Sequence, residues 1–284
     1  MKSRFNFNEC DMQLDLDVKE GCTCTQKEIA PIKKEKLVIP LDAVIKQCDE
    51  FFANDDLASL GEHLRFWRNE AKNINDIKSE LSIINELIGH YRMTNNKEEG
   101  LKAVDSALKI LDDWSSNLTP NLGTIILNAA TALSAFGNYE QAFNLYKRTE
   151  EIYNASLETK LELYAGLWNN MAYTLEKIGD SKGAQKAYEK AIEVLSRLSM
   201  FSDLAVSYVN LAGLYFNTLN NKEKAMEYLT LALDIFNSNS LIKDSYYAHT
   251  CKKCAGAFTD MGYPEIAEDL QKRANEIYER NQQK

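Results

Sequence analysis

Small and apolar residues recur along this chain with a period of about 42, and such a period restricts a chain to repeat architectures. One column of small residues has successive gaps of 42, 42, 42, 41 and 42 positions. Small residues at fixed places allow two helices to approach closely, so the pattern predicts stacked helical hairpins. The first column consists of Ala58, Gly100, Ala142, Ala184, Ala225 and Ala267, and a second one of Ala130, Ala172, Ala212 and Ala255.

Two segments show the pattern fully: YAGLWNNMAYTLEKIGDSKGAQKAYEKAIEVL, residues 164–195, and VSYVNLAGLYFNTLNNKEKAMEYLTLALDIF, residues 206–236. Over residues 81–281 these columns resemble the tetratricopeptide repeat. The period of about 42 instead of 34 is similar to the subtype with longer helices found in kinesin light chains. The resemblance implies an all-α fold, a right-handed superhelical α-solenoid of about six hairpins and twelve helices.

The resemblance also divides the chain. Residues 75–284 are expected to form five repeats. Residues 37–74 match weakly and are expected to be a degenerate capping hairpin, since a terminal repeat needs a polar outer face. Residues 1–36 stand outside the repeats as a tail. Within this tail DMQLDLDV, residues 11–18, alternates polar and apolar residues, the strand pattern. We expect it to be flexible, as termini usually are, or to lie extended in the groove as an occluding peptide.

Composition excludes several classes of function. The net charge of −9 argues against a nucleic-acid surface and against an anionic membrane surface. No apolar run is long enough to span a bilayer, and the first residues lack the apolar stretch of an export signal. The six cysteines then indicate reduced thiols, and we expect a cytoplasmic protein.

In the tetratricopeptide family the first helix of each hairpin lines a concave face. In each of these helices, the residue just before a particular apolar position points into that face. An asparagine there can pair with the backbone of an extended peptide, or it can bond to neighbouring helices and only stabilise the stack. Arg92 would add positive charge for a peptide carboxylate, and Thr131 and Tyr173 lie one turn beyond this column. The column reads Glu86, Asn128, Asn170, Asn210 and Lys253.

Three glycines occupy the same place in their predicted helices, one turn beyond this column: Gly89, Gly213 and Gly256. A glycine inside a helix costs about 1 kcal/mol relative to alanine, so some benefit must offset it. Close approach between repeats is one explanation, and room for a ligand is the other.

Enzyme motifs are not recognisable, and we expect no catalysis, no cofactor and no metal. The segment HTCKKCAGAF contains a Cys-x-x-Cys pair, Cys251 and Cys254, but both fall in apolar columns of the repeat, which predicts a core role. Cys10, Cys22 and Cys24 match zinc spacing only weakly. The sequence therefore predicts a non-catalytic scaffold or adaptor that binds a protein or peptide segment. The alternative is a regulatory sensor of a small signalling peptide that responds by changing superhelix pitch. The oligomeric state is not predicted.

Overall fold

The computed structural model describes residues 38–113, 119–156, 160–239 and 241–283, and these form twelve α-helices. Successive helices pack in pairs as six hairpins, so the expected all-α solenoid is confirmed. None of the described helices combines the length and apolar composition needed to cross a bilayer. The helices are α1 (Leu41–Ala53), α2 (Leu57–Asn73), α3 (Ile77–Met93), α4 (Lys97–Asp113), α5 (Pro120–Ala135), α6 (Tyr139–Ala155), α7 (Leu161–Lys177), α8 (Ser181–Arg197), α9 (Phe201–Asn217), α10 (Lys222–Asn237), α11 (Ser245–Asp260) and α12 (Pro264–Gln282).

Several turns between successive helices share one chemistry. Between α7 and α8, Gly179 adopts a left-handed conformation with φ of 90°, and the Asp180 side chain then accepts a hydrogen bond from the Gly183 N–H at 2.8 Å. Between α2 and α3, Asn75 has φ of 55° and Asp76 caps α3 in the same way. Glycine and asparagine tolerate this conformation, and an aspartate satisfies an unpaired N–H group of the first turn. Short polar pairs in the sequence therefore separate the helices.

The columns of small residues lie inside the hairpins, as expected. Ala142, Ala184 and Ala225 are almost fully buried. A Cβ at Gly100 would collide with the ring of Phe136, so this glycine is required for close packing.

Ala58 departs from this pattern, because it is exposed. Ala58 is the second residue of α2, whereas Gly100 and Ala142 are the fourth residues of α4 and α6. The fourth residue of α2 is Leu60, which is buried, so the column read from the sequence is two positions out of register in this helix.

The first helices form the inner wall of the superhelix. Helix α3 contacts α5, α5 contacts α7, α7 contacts α9, and α9 contacts α11. The two ends of the array also meet, since α1 contacts α11. We call the space in front of the first helices the lumen.

Four interactions join the first hairpin to the last, and we call them the closing contacts. They are the ion pair of Lys252 with Asp55 at 2.7 Å, the rings of Phe52 and His249 at 5.2 Å, the bond from Asn281 Nδ2 to the Ala53 carbonyl at 3.0 Å, and the bond from Gln282 Nε2 to the Asn54 carbonyl at 3.1 Å. The lumen is therefore enclosed on the side where an open solenoid would leave it accessible.

The Cys-x-x-Cys pair belongs to the core of the last hairpin. Cys251 and Cys254 are buried, at 0% and 3% exposure. Burial raises the pKa of Cys251 to about 11 and that of Cys254 to about 12, so neither forms a thiolate near neutral pH. The predicted core role is confirmed. The described residues contain no group of three or more His, Cys, Asp or Glu side chains able to hold a metal ion. The cysteines at 10, 22 and 24 lie outside them.

Candidate functional site

Two asparagines of the expected column connect neighbouring first helices. Asn128 Nδ2 on α5 donates to Asn85 Oδ1 on α3 at 2.8 Å, and Asn210 Nδ2 on α9 donates to Asn169 Oδ1 on α7 at 3.4 Å. Because these bonds join adjacent repeats, part of the role of both side chains is to hold the stack together. Each amide still has an oxygen that accepts no hydrogen bond from a described residue.

Asn170 differs from its two counterparts. Its side chain is half-buried on α7, and it makes no hydrogen bond to any residue in the described parts of the chain. A half-buried amide without a protein partner retains its full capacity of two donors and two acceptor lone pairs. Asn170 is therefore the asparagine of this column whose amide is available to a ligand.

The glycine column adjoins these asparagines and lines open space. A Cβ placed on Gly89, Gly213 or Gly256 would meet nothing within 4 Å, apart from the chain neighbours and the helix's own backbone. Close approach between repeats, the first explanation offered above, is therefore wrong for these three positions. Gly100, whose Cβ would collide with Phe136, shows what close approach looks like in this protein. The room left by the three helical glycines lies unfilled in the lumen.

The two remaining uncharged candidates have different surroundings. Thr131 Oγ1 donates to the Leu127 carbonyl at 2.8 Å and accepts from the Tyr146 hydroxyl at 3.3 Å, so its hydroxyl is satisfied within its own hairpin. Tyr173 is 41% exposed, and Lys177 Nζ lies 5.0 Å from the centre of its ring. Tyr173 therefore offers an accessible aromatic face, whereas Thr131 offers little beyond its methyl group.

Arg92 and Lys253 place positive charge in the lumen from opposite ends of the array. Arg92 is on α3 and Lys253 on α11, and neither side chain forms an ion pair or hydrogen bond with a described residue. The Lys253 side chain is exposed to solvent. Burial lowers the pKa of both groups, and the charge of Arg92 lowers the pKa of Lys253 further.

His249 completes this basic part of the lumen. Burial lowers its pKa to about 4, and the nearby charges of Lys253 and Arg92 contribute. The imidazole is therefore neutral near pH 7 and offers hydrogen bonds instead of charge. Uncompensated cations in a partly desolvated space favour an anionic group, because it restores the interactions lost with water.

An acidic region lies against α1. Glu86 on α3 accepts a hydrogen bond from Asn85 Nδ2 at 3.4 Å. Burial raises the pKa of Glu86 to about 7, and the charge of Asp49 on α1 raises it as well. The lumen thus presents a carboxyl group that titrates near neutral pH in one region and unpaired cations in another.

Sequence reasoning missed three residues of this site. Asn85 and Asn169 accept the bonds between repeats, and each precedes a residue of the predicted column by one position. The adjacent asparagines in WNNMA were the available signal. His249 was not among the candidates from the sequence, whereas the structure places it beside Phe52 at the closing contacts.

A separate apolar depression of about 300 Å³ lies between α9 and α10, lined by Phe201, Tyr208 and Leu231 among others. Its walls carry few polar groups. It provides a comparison surface for the lumen.

Comparison with known proteins relates this architecture to one family. The tetratricopeptide-repeat family matches residues 163–238. A search of curated proteins found no match. NprR in complex with its cognate peptide NprX is 15% identical with a TM-score of 0.58, over 85% of this chain and 69% of that one. A Rap protein complexed with competence and sporulation factor is 14% identical with a TM-score of 0.55, over 88% and 78%.

A Podosopora anserina chain of kinesin-light-chain type, with nearly identical tetratricopeptide-like repeats, is 18% identical with a TM-score of 0.49, over 72% and 97%. At their identities, NprR and the Rap protein show a shared fold alone. The tetratricopeptide resemblance inferred from the small and apolar columns is confirmed by the family match over residues 163–238.

Proposed function

We propose that this tetratricopeptide-repeat protein is a non-catalytic, cytoplasmic scaffold or adaptor that holds an extended peptide segment in its lumen. The observation that carries the proposal is the open glycine column. Gly89, Gly213 and Gly256 weaken their helices and pack against nothing in the described structure, and room for a ligand in the lumen is a use that offsets this cost. A peptide backbone is a ligand that benefits from approaching a helix this closely.

Asn170 supplies the polar contact for such a ligand. An extended backbone presents one N–H and one C=O group per residue, and an unpaired carboxamide can bond to both, whatever the peptide side chains are. Tyr173, one turn further, adds an exposed aromatic ring for an apolar side chain. Arg92 and Lys253 add affinity for a carboxylate of the ligand.

The test is binding of the full-length chain to an array of immobilised random dodecapeptides. The wild type is expected to select a set of peptides, and Asn170→Ala is expected to lose about tenfold in affinity for them, the effect of one or two hydrogen bonds. Asn144→Ala, on the exposed outer side of α6, is the matched control and keeps wild-type affinity. Equal binding by both variants would contradict the proposal. Loss of binding through Leu231→Asp would instead move the site to the outer depression.

The second candidate is a sensor of a small signalling peptide, and the closing contacts favour it. A ligand that enters an enclosed lumen has to separate α1 from α11 or hold them together, so binding is coupled to the spacing of the two ends. NprR and the Rap protein, which share the fold, were each solved with a peptide or factor bound. A change in X-ray scattering on adding a selected peptide supports the sensor, and an unchanged curve supports the rigid scaffold.

A further inference from the structure

The unpaired cations of the lumen raise the question of what neutralises them when no external ligand is bound. Arg92 and Lys253 belong to different ends of the array, and the closing contacts bring those ends together. Burial lowers the pKa of Lys253 and outweighs the charge of Asp203, which raises it; Asp203 forms no ion pair with Lys253, and its carboxylate accepts a hydrogen bond from the Tyr246 hydroxyl. Two partly desolvated cations with no ion-pair partner in the described part of the chain are costly, and an anionic segment would remove that cost.

This chain carries such a segment outside the described residues. Positions 9–18 read ECDMQLDLDV, with four carboxylates at 9, 11, 15 and 17 and no cation among them. Alternation places residues 11, 13, 15 and 17 on one side of an extended strand and the apolar residues on the other. Two cations, Lys2 and Arg4, lie nearer the start of the chain. Their positive charge is complementary to the acidic region at Glu86 and Asp49.

The segment is attached close enough to α1 to reach the lumen. The described chain begins at Val38, three residues before α1, and α1 contacts α11. Asp17 precedes Val38 by 21 residues (38 − 17). A connection of that length spans about 70 Å when extended, and about 25 Å on average as a coil, which is comparable with the width of a small domain. The tether keeps the segment at a high effective concentration beside the lumen.

We propose that residues 9–18 dock in the lumen of the same chain as an intramolecular ligand, with their carboxylates at Arg92 and Lys253. This inference rests on the proposed peptide-binding function and adds its regulation, since an external peptide has to displace the segment. An external ligand then competes best when it is also extended and acidic, because it must satisfy the same cations.

The experiment is site-specific photocrosslinking in the full-length chain without added ligand. A benzophenone amino acid replaces Gln13, which lies between the acidic residues, and the adducts are located by mass spectrometry. Adducts are expected on α3, α9 or α11, in a product of monomer mass at low protein concentration. Asp11→Lys combined with Asp15→Lys and Asp17→Lys is expected to reduce these adducts roughly tenfold or more.

Reversal of the lumen charges provides the reciprocal arm. Arg92→Glu combined with Lys253→Glu is expected to lose the adducts, whereas Lys109→Glu combined with Lys272→Glu, on exposed faces of α4 and α12, is expected to keep them. Circular dichroism of each variant confirms that it is folded. Adducts on outer helices, adducts that survive charge reversal, adducts only between two molecules, or no adducts would each overturn the inference.

The peptide array separates this inference from the proposed function. Neutralising the segment, by Asp11→Asn with Asp15→Asn and Asp17→Asn, is expected to raise affinity for array peptides roughly tenfold, as removal of a tethered competitor does. If Asn170→Ala weakens binding but neutralisation has no effect and Gln13 forms no lumen adducts, the proposed function stands and the intramolecular ligand is wrong. If no array peptide binds even after neutralisation while lumen adducts form, the intramolecular ligand stands and the proposed function is wrong.

Discussion

Asn128 donates a hydrogen bond from its side-chain amide to Asn85 on the preceding first helix, at 2.8 Å. Asn85 is 5% exposed and donates in turn to Glu86. The three residues form a short chain of bonds across two repeats. The asparagines of the column therefore differ in role. The Asn128 side chain stabilises the stack, whereas the Asn170 side chain has no hydrogen-bond partner among the described residues.

This difference predicts that the same substitution destabilises the protein at one position and not at the other. Asn128→Ala removes the donor to the buried Asn85 and is expected to reduce the free energy of unfolding by about 1–2 kcal/mol. Asn170→Ala breaks no hydrogen bond to a described residue and is expected to leave the free energy of unfolding within about 0.5 kcal/mol of wild type. Urea unfolding measures both. Equal destabilisation by the two would show that Asn170 also supports the stack.

The glycine column predicts a gain in stability accompanied by a loss of binding. Gly213→Ala and Gly256→Ala place a methyl group in open space, so each is expected to raise the free energy of unfolding by up to about 1 kcal/mol. The same methyl groups occupy room that the ligand needs, and affinity for array peptides is expected to fall.

Gly100→Ala is the contrasting control for these two variants. It forces a Cβ against Phe136 and is expected to destabilise by about 1–3 kcal/mol. Thermal unfolding of the three variants distinguishes a glycine needed for close packing, at position 100, from glycines that leave room for a ligand, at positions 213 and 256. A destabilising Gly213→Ala would mean that its surroundings are more closely packed than the structure shows.

Glu86 predicts a pH-dependent contribution to stability. Its pKa rises from 4.5 to about 7 in the folded state, so between these values the folded chain holds a proton that the unfolded chain has lost. Stability attributable to this residue is therefore present below pH 4.5 and is lost as pH rises to about 7, by at most about 3 kcal/mol.

The measurement compares wild type with Glu86→Gln across this pH range. Glutamine keeps the shape and cannot ionise, so its advantage over wild type is expected to grow as pH rises. His249, whose lowered pKa acts with the opposite sign, is present in both proteins and cancels in the difference. If the free energies of unfolding of the two proteins change in parallel with pH, the raised pKa of Glu86 is wrong.

The closing contacts predict a change of shape with little change in stability. Asp55 and Lys252 are partly exposed, and such ion pairs contribute at most about 1 kcal/mol. Asp55→Lys combined with Asn281→Ala is expected to separate α1 from α11 and to increase the radius of gyration in X-ray scattering. Exchange of the two charges, Asp55→Lys with Lys252→Asp, should restore the wild-type value. An unchanged radius in the first variant would show that other contacts close the ends.

The buried thiols predict slow chemical modification. A variant with serine at positions 10, 22 and 24 retains Cys48, Cys251 and Cys254, all buried. Because burial raises the pKa of each, their reaction with an aromatic disulfide at neutral pH is expected to be limited by unfolding. Rapid reaction of one thiol before unfolding would contradict its place in the core.

Local features of the fold were predictable because each hairpin repeats the same packing problem. The columns of small residues predicted the hairpins, and the position of Cys251 in an apolar column predicted its burial. Ala58 was wrongly included, because α4 begins 40 residues after α2 whereas α6 begins 42 residues after α4, so a constant spacing of 42 missed the buried Leu60.

Relations between distant repeats were not predictable in the same way. The contact of Asp55 with Lys252 depends on the rotation added by every intervening hairpin, and a small change in each accumulates around the superhelix. The partner of Asn128 was missed for a related reason. Which asparagine of α3 faces it depends on the angle between neighbouring first helices, and spacing along one helix does not specify that angle.

Contact between the ends also limits how this protein can vary in length. An open array tolerates the gain or loss of a repeat, because each repeat touches only its neighbours. Here one added or deleted unit of about 42 residues would change the angle at which the last hairpin arrives, and Lys252 would no longer face Asp55. The number of hairpins is then itself a constrained property, and diversification has to proceed by substitutions within hairpins instead of duplication of whole units.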